Sequence, residues 1–385
     1  MNRLAIARCL YWLGICCAGI STTWRLWDLT GQAWWLVGAG LTGVLVGILC
    51  APVAGQLADR PNRRRTMMIS LCLAAVLEIG LAFTHQPLLL MLVAQLVGIS
   101  LSPFGPAFMA SFLSSDFPGG QAHALGRLTS FEAAGMVGGT LLAGVTQLIG
   151  KSGPFLFAAA MLLLCAAVIA SSRRHQPSIT PVTERKPRNV WAGLQILRQQ
   201  RVLRLALGAA AFMAISRQLA IVAEAPLIGS LGGGGSALAI VSAAWSIGML
   251  AGGPLAGRTV KKGREIRSLI GARFAASLGM ASLALSYLIW QPALAYLLCG
   301  IAWAWVPVAS NMLVSEYCDD ETRGRLLATQ GAFVQASQAA GMLMSGLAIA
   351  GFGIKGAFLA AGLFGLASLL PLARAAKLQS KEIAT

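Results

Sequence analysis

Charged residues are scarce in this sequence, and acidic ones are the scarcest. Of the 385 residues only 11% are charged, and 13 Asp and Glu residues stand against 30 Lys and Arg residues, for a net charge of +17. Soluble globular proteins carry about 25% charged residues, so this composition excludes an ordinary water-soluble protein. Hydrophobic residues make up 57% of the chain, and its mean hydropathy is +0.72. We therefore expect a polytopic membrane protein with the lipid bilayer as its surroundings.

The groups that usually carry enzymatic chemistry are also few. The three histidines, His85, His123 and His175, are scattered, and no Ser/His/Asp arrangement or pair of catalytic carboxylates stands out. The phosphate-binding pattern G-x-x-x-x-G-K-[ST] is absent, so ATP is not expected to be the direct energy source. The eight cysteines lack the spacing of a zinc site. The sequence therefore predicts no enzyme, no metal site and no cofactor, and its connections are too short for a soluble signalling domain.

Long apolar runs are what the sequence has in abundance. A helix needs about 20 apolar residues to cross a bilayer, and runs of this length without a polar stripe occur twelve times. The expected fold class is an all-α polytopic membrane protein with 12 transmembrane helices. The predicted spans lie at about 5–25, 34–58, 66–84, 88–112, 128–149, 154–172, 203–229, 236–257, 267–289, 292–315, 326–350 and 355–373.

The basic residues are distributed very unevenly over the connections between these spans. All but five of the 30 Lys and Arg residues fall at the chain ends or in connections on one side. The exceptions are Arg25, Lys151 and Lys355 on the other side, with Arg217 and Arg273 inside spans. Positive residues accumulate on the cytoplasmic side of membrane proteins, so we expect both termini to be cytoplasmic. The positive charge then requires no nucleic-acid partner.

Two short matches recur at one offset. Residues Gly55–Arg60 (GQLADR) match Gly253–Arg258 (GPLAGR), and Gly126–Leu128 (GRL) match Gly324–Leu326, in both cases 198 positions later. Such a repeat predicts two pseudo-symmetric six-helix bundles around a site near the membrane midplane. We predict an N-terminal bundle over residues 1–172, a polar and basic cytoplasmic linker over 173–201, and a C-terminal bundle over 202–385.

The connection between the second and third spans carries a motif. Gly55, Leu57, Asp59, Arg60 and the basic run through Arg64 resemble the signature loop of the major facilitator superfamily, G-x-L-a-D-r-x-G-r-r/k-x. Asn62 stands where the family usually has Gly, and Asn also tolerates a left-handed backbone. The resemblance implies a membrane transporter whose motif loops hold one of its conformations. The residues implied in this gating role are Gly55, Leu57, Asp59, Arg60, Arg64, Arg127, Gly253, Arg258 and Arg325.

A second set of residues narrows the resemblance. Residues 321–333 (ETRGRLLATQGAF), Ala7-Arg8 and Leu125-Gly126-Arg127 are similar to the drug and siderophore exporters, in particular to the enterobactin exporter group. This similarity implies a proton-driven exporter of a small organic molecule in the bacterial inner membrane.

Ionisable residues at membrane depth are costly, and they mark pathways or proton sites. Arg217 lies near the middle of the seventh span, and Glu224 follows two turns later on the same face, so we predict that both line a cavity. Glu132 either pairs with an arginine of the motif loops or takes part in proton coupling. Arg273 is expected to snorkel to the interface, and Glu78 to lie on a peripheral helix. The predicted substrate and proton cavity comprises Arg25, Asp28, Glu132, Arg217, Glu224, Trp303 and Gln335.

The mixture of Arg and Glu in this predicted cavity suits an anionic or zwitterionic substrate. A siderophore exporter is the first hypothesis. An efflux pump for hydrophobic drugs is the main alternative, and a lipid flippase on the same fold is a further one. The expected partners are the small-molecule substrate, protons as the coupling ion and the lipid bilayer, and the protein is expected to be a monomer.

Overall fold

The computed structural model describes residues 2–58, 62–113, 121–171, 199–261, 263–317 and 320–384. Throughout these ranges the chain is helical apart from short turns, and none of them contains a strand. The all-α fold class expected from the composition is therefore confirmed.

Fourteen α-helices are labelled here in chain order within the described residues. They are α1 (Asn2–Thr30), α2 (Ala33–Ala58), α3 (Arg63–Ala82), α4 (Pro87–Leu101), α5 (Phe104–Leu113), α6 (Gln121–Ile149), α7 (Gly153–Ser171), α8 (Arg201–Ser230), α9 (Gly235–Thr259), α10 (Glu265–Ser282), α11 (Trp290–Trp303), α12 (Trp305–Tyr317), α13 (Asp320–Ala367) and α14 (Leu369–Ala384). A single 3₁₀ turn, Leu283–Leu285, follows α10.

Eleven helical stretches in the described part of the chain are long and apolar enough to cross a membrane. The last runs from Thr329 to Gln379, over 51 residues. At 1.5 Å per residue it would be about 76 Å long, more than twice the roughly 30 Å of a bilayer's hydrocarbon core. Gly353 interrupts it with φ 71° and ψ −180°, a conformation that glycine adopts without a Cβ clash. The stretch therefore has the length and the turning point for two crossings, consistent with the twelve predicted spans.

Two of the predicted spans are each divided into two helices. The span at 88–112 consists of α4 and α5, which are separated near Pro103, and the span at 292–315 consists of α11 and α12, which are separated at Ala304. Prolines explain both breaks. The ring of a proline clashes with the backbone carbonyl four residues earlier, and proline has no backbone N–H to donate to that carbonyl. Pro307 lies in the first turn of α12, just after the second break.

The surface of the described helices is rich in large apolar side chains. Leu49 is 73% exposed, Ile149 is 81% exposed and Phe352 is 83% exposed. In water, proteins with apolar patches of this extent would associate with one another. Lipid is the surrounding that matches it.

The described residues of 1–182 together with those of 233–243 form a compact unit, called unit 1. Within it α1 packs against α6 and α7, and α3 packs against α7 and α4. Two glycines on α6 allow the close approach of α1. A Cβ atom at Gly135 would lie 2.5 Å from the carbonyl oxygen of Cys9, and one at Gly139 would lie 2.6 Å from that of Leu13. Small residues four apart are typical of closely packed membrane helices.

The described residues of 183–232 and of 244–385 form a second compact unit, called unit 2. Here α8 packs against α13 and α14, while α10 packs against α11, α12 and α13. Glycines again allow two helices, α9 and α11, to approach closely. A Cβ atom at Gly248 would lie 2.2 Å from the carbonyl oxygen of Leu297, and one at Gly300 would lie 2.2 Å from that of Trp245.

The predicted linker over residues 173–201 falls almost entirely outside the described residues, which leave out 172–198. The predicted division of the chain into 1–172 and 202–385 therefore stays a prediction.

Candidate functional site

A group of charged and aromatic side chains meets in unit 2. Arg217 lies on α8, and its guanidinium carbon lies 4.9 Å from the ring centroid of Trp245 on α9 and 5.7 Å from that of Trp303 on α11. The two indole rings are themselves neighbours, with centroids 5.5 Å apart and planes tilted by 52°. A cation over aromatic rings gains about 0.5–1 kcal/mol at exposed sites and about 2 kcal/mol where water is excluded. The contact therefore holds the guanidinium in one orientation.

A carboxylate and a phenol complete this group. Tyr296 is buried on α11, and its ring meets that of Trp245 edge to face, with centroids 6.0 Å apart. Glu224 lies seven residues after Arg217 on α8 and is also buried. Its charge interacts with both Arg217 and Tyr296. These five residues, Arg217, Glu224, Trp245, Tyr296 and Trp303, are called the Arg217 cluster.

The close packing of α9 and α11 places two members of this cluster against each other. Gly300 on α11 lies against the carbonyl of Trp245, so the backbones of the two helices approach without intervening side chains. Trp303 and Tyr296 follow and precede this glycine by about one turn each. The glycine contact thus sets the distance between the three aromatic rings.

A second group of the same kind lies in unit 1. Arg8 on α1 forms an ion pair with Glu132 on α6, with 2.5 Å between Nε and Oε1. Four aromatic rings surround the guanidinium carbon of Arg8 at centroid distances between 5.3 and 6.0 Å. They belong to Tyr11 and Trp12 on α1 and to Phe104 and Phe108 on α5. These six residues are called the Arg8 cluster.

The Arg8 cluster contains two hydrogen-bond donors that are not used within the described part of the chain. The Nη1 atom of Arg8 and the Nε1 atom of Trp12 are buried, and neither has a hydrogen-bond partner within the described residues. Leaving a buried donor unsatisfied costs about 1–3 kcal/mol. Such donors are therefore natural contacts for a bound molecule that carries oxygen or nitrogen acceptors.

Arg25 and Asp28 lie elsewhere in unit 1, near the end of α1. The guanidinium of Arg25 donates to the backbone carbonyls of Ala82 and Lys151, each at 3.3 Å. Asp28 forms an ion pair with the amino group of Lys151 at 2.7 Å. A cavity of about 190 Å³ adjoins these residues. These hydrogen bonds of Arg25 hold α1 against its neighbours. The predicted place of Arg25 and Asp28 in the substrate cavity stays a prediction.

The other residues of the predicted cavity lie in different parts of the structure. Trp303 and Glu224 both lie near Arg217, and the predicted place of these three residues in a substrate and proton cavity stays a prediction. Glu132 pairs with Arg8, a residue that the sequence reasoning assigned to the cytoplasmic end of the first span. Gln335 is exposed on α13, so its predicted place in a cavity wall stays a prediction.

The gating motif is only partly described. Asp59 and Arg60 lie outside the described residues, as does the side chain of Arg325, and the burial of Gly55 is likewise not described. Arg64 donates a hydrogen bond to the carbonyl of Ala170, close to the end of α7. Leu57 lies near the end of α2, and Arg127 and Arg258 are exposed. The gating role of these residues, and of Gly253 on α9, stays a prediction.

Asn62 behaves differently from the expectation based on the motif. Its φ is −104° and its ψ is 60°, so its backbone is not left-handed. Its side-chain oxygen instead accepts a hydrogen bond from the backbone N–H of Arg65 at 3.2 Å. Asn therefore replaces the family's glycine by capping the start of α3.

Sequence reasoning left out Trp12, Phe104 and Phe108 of the Arg8 cluster, although one signal was present. Phe104, Phe108 and Phe112 recur every four residues and so lie on one face of α5. Their rings follow one another along that face, with centroids 5.7 Å apart in the tilted pair Phe104–Phe108 and 6.3 Å apart in the stacked pair Phe108–Phe112. The spacing predicts an aromatic face, but only the fold shows that Arg8 points at it.

The sequence and the structure both match known proteins. The sequence profile described as "Major Facilitator Superfamily" matches residues 4–319 and 209–382. No curated protein sequence is significantly similar to the chain. The solved structure of the nucleoside transporter NupG is similar, with a TM-score of 0.72 and 14% identity over 99% of this chain and 100% of that chain.

Two other solved structures are comparable. A bacterial homolog of the human lysosomal transporter Spinster, in an inward-facing and unoccupied conformation, aligns with a TM-score of 0.65 and 16% identity over 98% of this chain and 95% of that one. A POT family transporter in complex with a thioalcohol-conjugated peptide aligns with a TM-score of 0.70 and 12% identity over 95% and 94%. At these identities the likeness shows the fold, and the profile match spans most of the sequence. The chain is an integral membrane protein that belongs to the Major Facilitator Superfamily, a family of membrane transporters.

Proposed function

We propose that this protein is a proton-coupled secondary transporter that exports a small organic molecule with an acidic group and a planar ring, most simply a siderophore. The Arg217 cluster carries the proposal. It combines one guanidinium, one carboxylate and three aromatic rings on three helices of unit 2. This combination provides a partner for an acid, a partner for an amine and flat surfaces for a ring.

The guanidinium of Arg217 suits the acidic group. Arg presents a planar fork of donors that matches a carboxylate in two parallel hydrogen bonds. The indoles of Trp245 and Trp303 hold that fork in place, which lowers the entropy lost when a ligand binds. An aromatic ring on the substrate gains a further 0.5–1.5 kcal/mol or so by packing against aromatic side chains.

The position of Glu224 links the substrate to a proton. A deprotonated Glu224 offers a binding partner to an ammonium group of a zwitterionic substrate, and a proton on Glu224 competes with that group. Competition between proton and substrate leads to exchange, and therefore to export driven by an inward proton gradient. A substrate that is only anionic would bind best beside a protonated Glu224, because the carboxylate charge no longer opposes it. Such a substrate would travel together with the proton and would not be exported by an inward proton gradient, so the proposal concerns a substrate that carries an amine beside its acidic group.

The surrounding predictions complete the proposed mechanism. The protein alternates between two open states, as transporters with two six-helix halves do. The loop after α2, with Asp59 and Arg60, holds one of these states. The termini are cytoplasmic, the membrane is the bacterial inner membrane, and the protein acts as a monomer.

Reconstituted vesicles test the proposal. The purified protein is reconstituted into liposomes, and a pH gradient is imposed across their membrane. Uptake into these liposomes is then measured for a catecholate siderophore, a hydroxamate siderophore, a hydrophobic cationic dye and a fluorescent lysophospholipid. We expect gradient-driven movement of a siderophore that carries both an acidic group and an amine, its loss in Arg217→Ala, and its uncoupling from the gradient in Glu224→Gln. Arg267→Gln is the matched control, because Arg267 is an exposed arginine on α10.

A second candidate function is supported by one observation. The four aromatic rings around Arg8 form an apolar cluster, in which Phe104 and Phe108 are buried, and a hydrophobic drug would bind against these rings once helix movement opens the cluster. Transport of the cationic dye that persists in Arg217→Ala would favour this function, and movement of the lysophospholipid alone would favour a flippase. Full siderophore transport by both Arg217→Ala and Glu224→Gln would contradict the proposal.

A further inference from the structure

Arg273 on α10 is a buried charge that neither cluster uses. It is 2% exposed, and its Nε and Nη1 atoms have no hydrogen-bond partner in the described part of the chain. The expectation that it snorkels to the membrane interface is therefore wrong. Arg does not lose its proton in proteins, so this residue brings a permanent positive charge into the interior of unit 2.

A small cavity adjoins the side chain of Arg273. Its volume is about 30 Å³, and it is lined by the first turns of α8, by α10, by the last turns of α12 and by the beginning of α13. Most of its lining is apolar, but Ser310 on α12 and Gln330 on α13 also line it. A water molecule needs roughly 10–15 Å³ of such volume. The cavity therefore has room for about two water molecules or for one small ion.

The described acidic side chains of unit 2 do not neutralise Arg273. They are Glu224 and Glu265. Glu224 interacts with Arg217 and Tyr296. Glu265 lies two turns before Arg273 on α10, accepts a hydrogen bond from the backbone N–H of Gly263 at 2.9 Å and from the side chain of Gln379 at 3.3 Å, and is not paired with Arg273.

We infer that this cavity is a binding site for a small monovalent anion of the size of chloride, held between the guanidinium of Arg273 and the polar groups of Ser310 and Gln330. A buried cation is strongly destabilising unless an opposite charge accompanies it, and an anion in the cavity supplies that charge. The guanidinium offers N–H donors, the hydroxyl of Ser310 offers an O–H and the amide of Gln330 offers two N–H donors, so all three groups can donate to one anion.

The size of the cavity sets the chemical class of the anion. A halide ion is comparable to a water molecule and fits, whereas a phosphate group, a lipid headgroup or an organic carboxylate with a side chain does not. The site is also separate from the Arg217 cluster, since none of the five cluster residues lines it. Anion binding therefore stabilises unit 2 and does not depend on the identity of the transported substrate.

Thermal unfolding of the full-length protein in an uncharged detergent tests this site. Sodium chloride replaces sodium gluconate at constant ionic strength, so that only the small anion changes. We expect a saturable rise of the midpoint temperature by roughly 1–3 °C in the wild type. The same rise is expected in Arg267→Met, which removes an exposed arginine of α10, and it should be absent in Arg273→Met.

A second variant and a second measurement keep the test independent of how well Arg273→Met folds. Gln330→Leu retains Arg273 and should raise the chloride concentration at half-saturation several-fold. In the wild type, bound chloride should broaden the ³⁵Cl NMR signal. Adding bromide should displace the chloride and reduce this excess line width, whereas adding gluconate should not. A chloride-independent wild type would show that the cavity holds only water, and an equal rise in Arg273→Met would place the anion elsewhere. Either result overturns the inference.

Discussion

The Arg8 cluster and the Arg217 cluster each combine one arginine and one glutamate with aromatic residues, in different arrangements. In unit 1 the arginine and its acid lie on different helices, α1 and α6, and are in direct contact at 2.5 Å. In unit 2 Arg217 and Glu224 lie on the same helix, α8, two turns apart. Each arginine also contacts aromatic rings on the helices that pack nearby.

This difference separates two mechanical roles. An ion pair between two helices joins them, so it must lengthen or break when one helix moves against the other. Two charges on a single helix keep their spacing when that helix moves as a rigid body. We therefore expect the Arg217 cluster to act as a constant recognition surface, and the Arg8–Glu132 pair to respond to the movement of α1 against α6.

The largest effect should come from removing the cation of the recognition surface. Arg217→Ala should lower the transport efficiency by about 100-fold, because a hydrogen bond between charged partners contributes about 1.5–3 kcal/mol and Ala supplies no substitute. Arg8→Ala should reduce transport less, since Arg8 already has a carboxylate partner. Initial rates at several substrate concentrations in vesicles measure both. A larger loss in Arg8→Ala than in Arg217→Ala would reverse the assignment of roles.

The ion pair of unit 1 should matter more for stability than for recognition. Glu132→Gln leaves Arg8 without a charged partner and should lower the free energy of unfolding by about 1–3 kcal/mol. This loss of stability is smaller than the loss expected when a fully buried ion pair is broken, because the side chains of Arg8 and Glu132 are partly exposed. The double variant Arg8→Met/Glu132→Gln should recover more than half of the loss. Thermal unfolding in detergent measures this, and additive losses in the double variant would show that the two residues do not act as a pair.

The glycine contact between α9 and α11 should be sensitive to a single methyl group. Gly300→Ala places a Cβ atom 2.2 Å from the carbonyl oxygen of Trp245, so the helices must separate, at a cost of about 1–3 kcal/mol. Gly271→Ala on α10 is the matched control, since nothing lies within 4 Å of its Cβ position. The control should be neutral or slightly stabilising. Equal stability of the two variants would mean that α9 and α11 are not in tight contact.

The smallest effect should come from one aromatic ring of the Arg217 cluster. Trp303→Leu retains an apolar side chain but removes the ring at 5.7 Å from the guanidinium. We expect a decrease in substrate affinity of about two- to fivefold, because a cation–π contact contributes about 0.5–1 kcal/mol. Competition binding to the purified protein measures it. The control is Trp290→Leu, which removes an exposed tryptophan at the start of α11.

Much of the fold could be predicted from the sequence, because membrane helices are defined by apolar length alone. The breaks in the spans at Pro103 and near Ala304 were harder to predict, since prolines often remain inside membrane helices when neighbours satisfy the freed carbonyls. The turn at Gly353 was found from a gap between two apolar runs. The capping role of Asn62 was missed, because the family pattern directed attention to backbone conformation and away from its side chain.

The candidate site could be predicted in part. Arg217 and Glu224 were singled out because a charge within an apolar span is conspicuous and seven residues return to the same helical face, and Trp303 was chosen because it lies in the middle of its span. Arg8 was noted only for its part in the exporter resemblance and was not assigned to the cavity, because a basic residue near the start of the first span is expected in any membrane protein. Arg273 was misjudged for a related reason. Its position in the sequence fits a snorkelling side chain, and only the packing of α8, α12 and α13 around it shows that it is enclosed.

The most direct measurement compares a carboxylic acid with its methyl ester as competing substrates. A catechol-bearing amino acid and its methyl ester are offered to vesicles that contain either the wild type or Arg217→Ala. The wild type should prefer the acid by at least tenfold, because only the acid can form the two parallel hydrogen bonds with Arg217. The variant should treat the two compounds almost equally. A preference for the acid that is unchanged in Arg217→Ala would contradict the central claim that this cluster recognises the substrate.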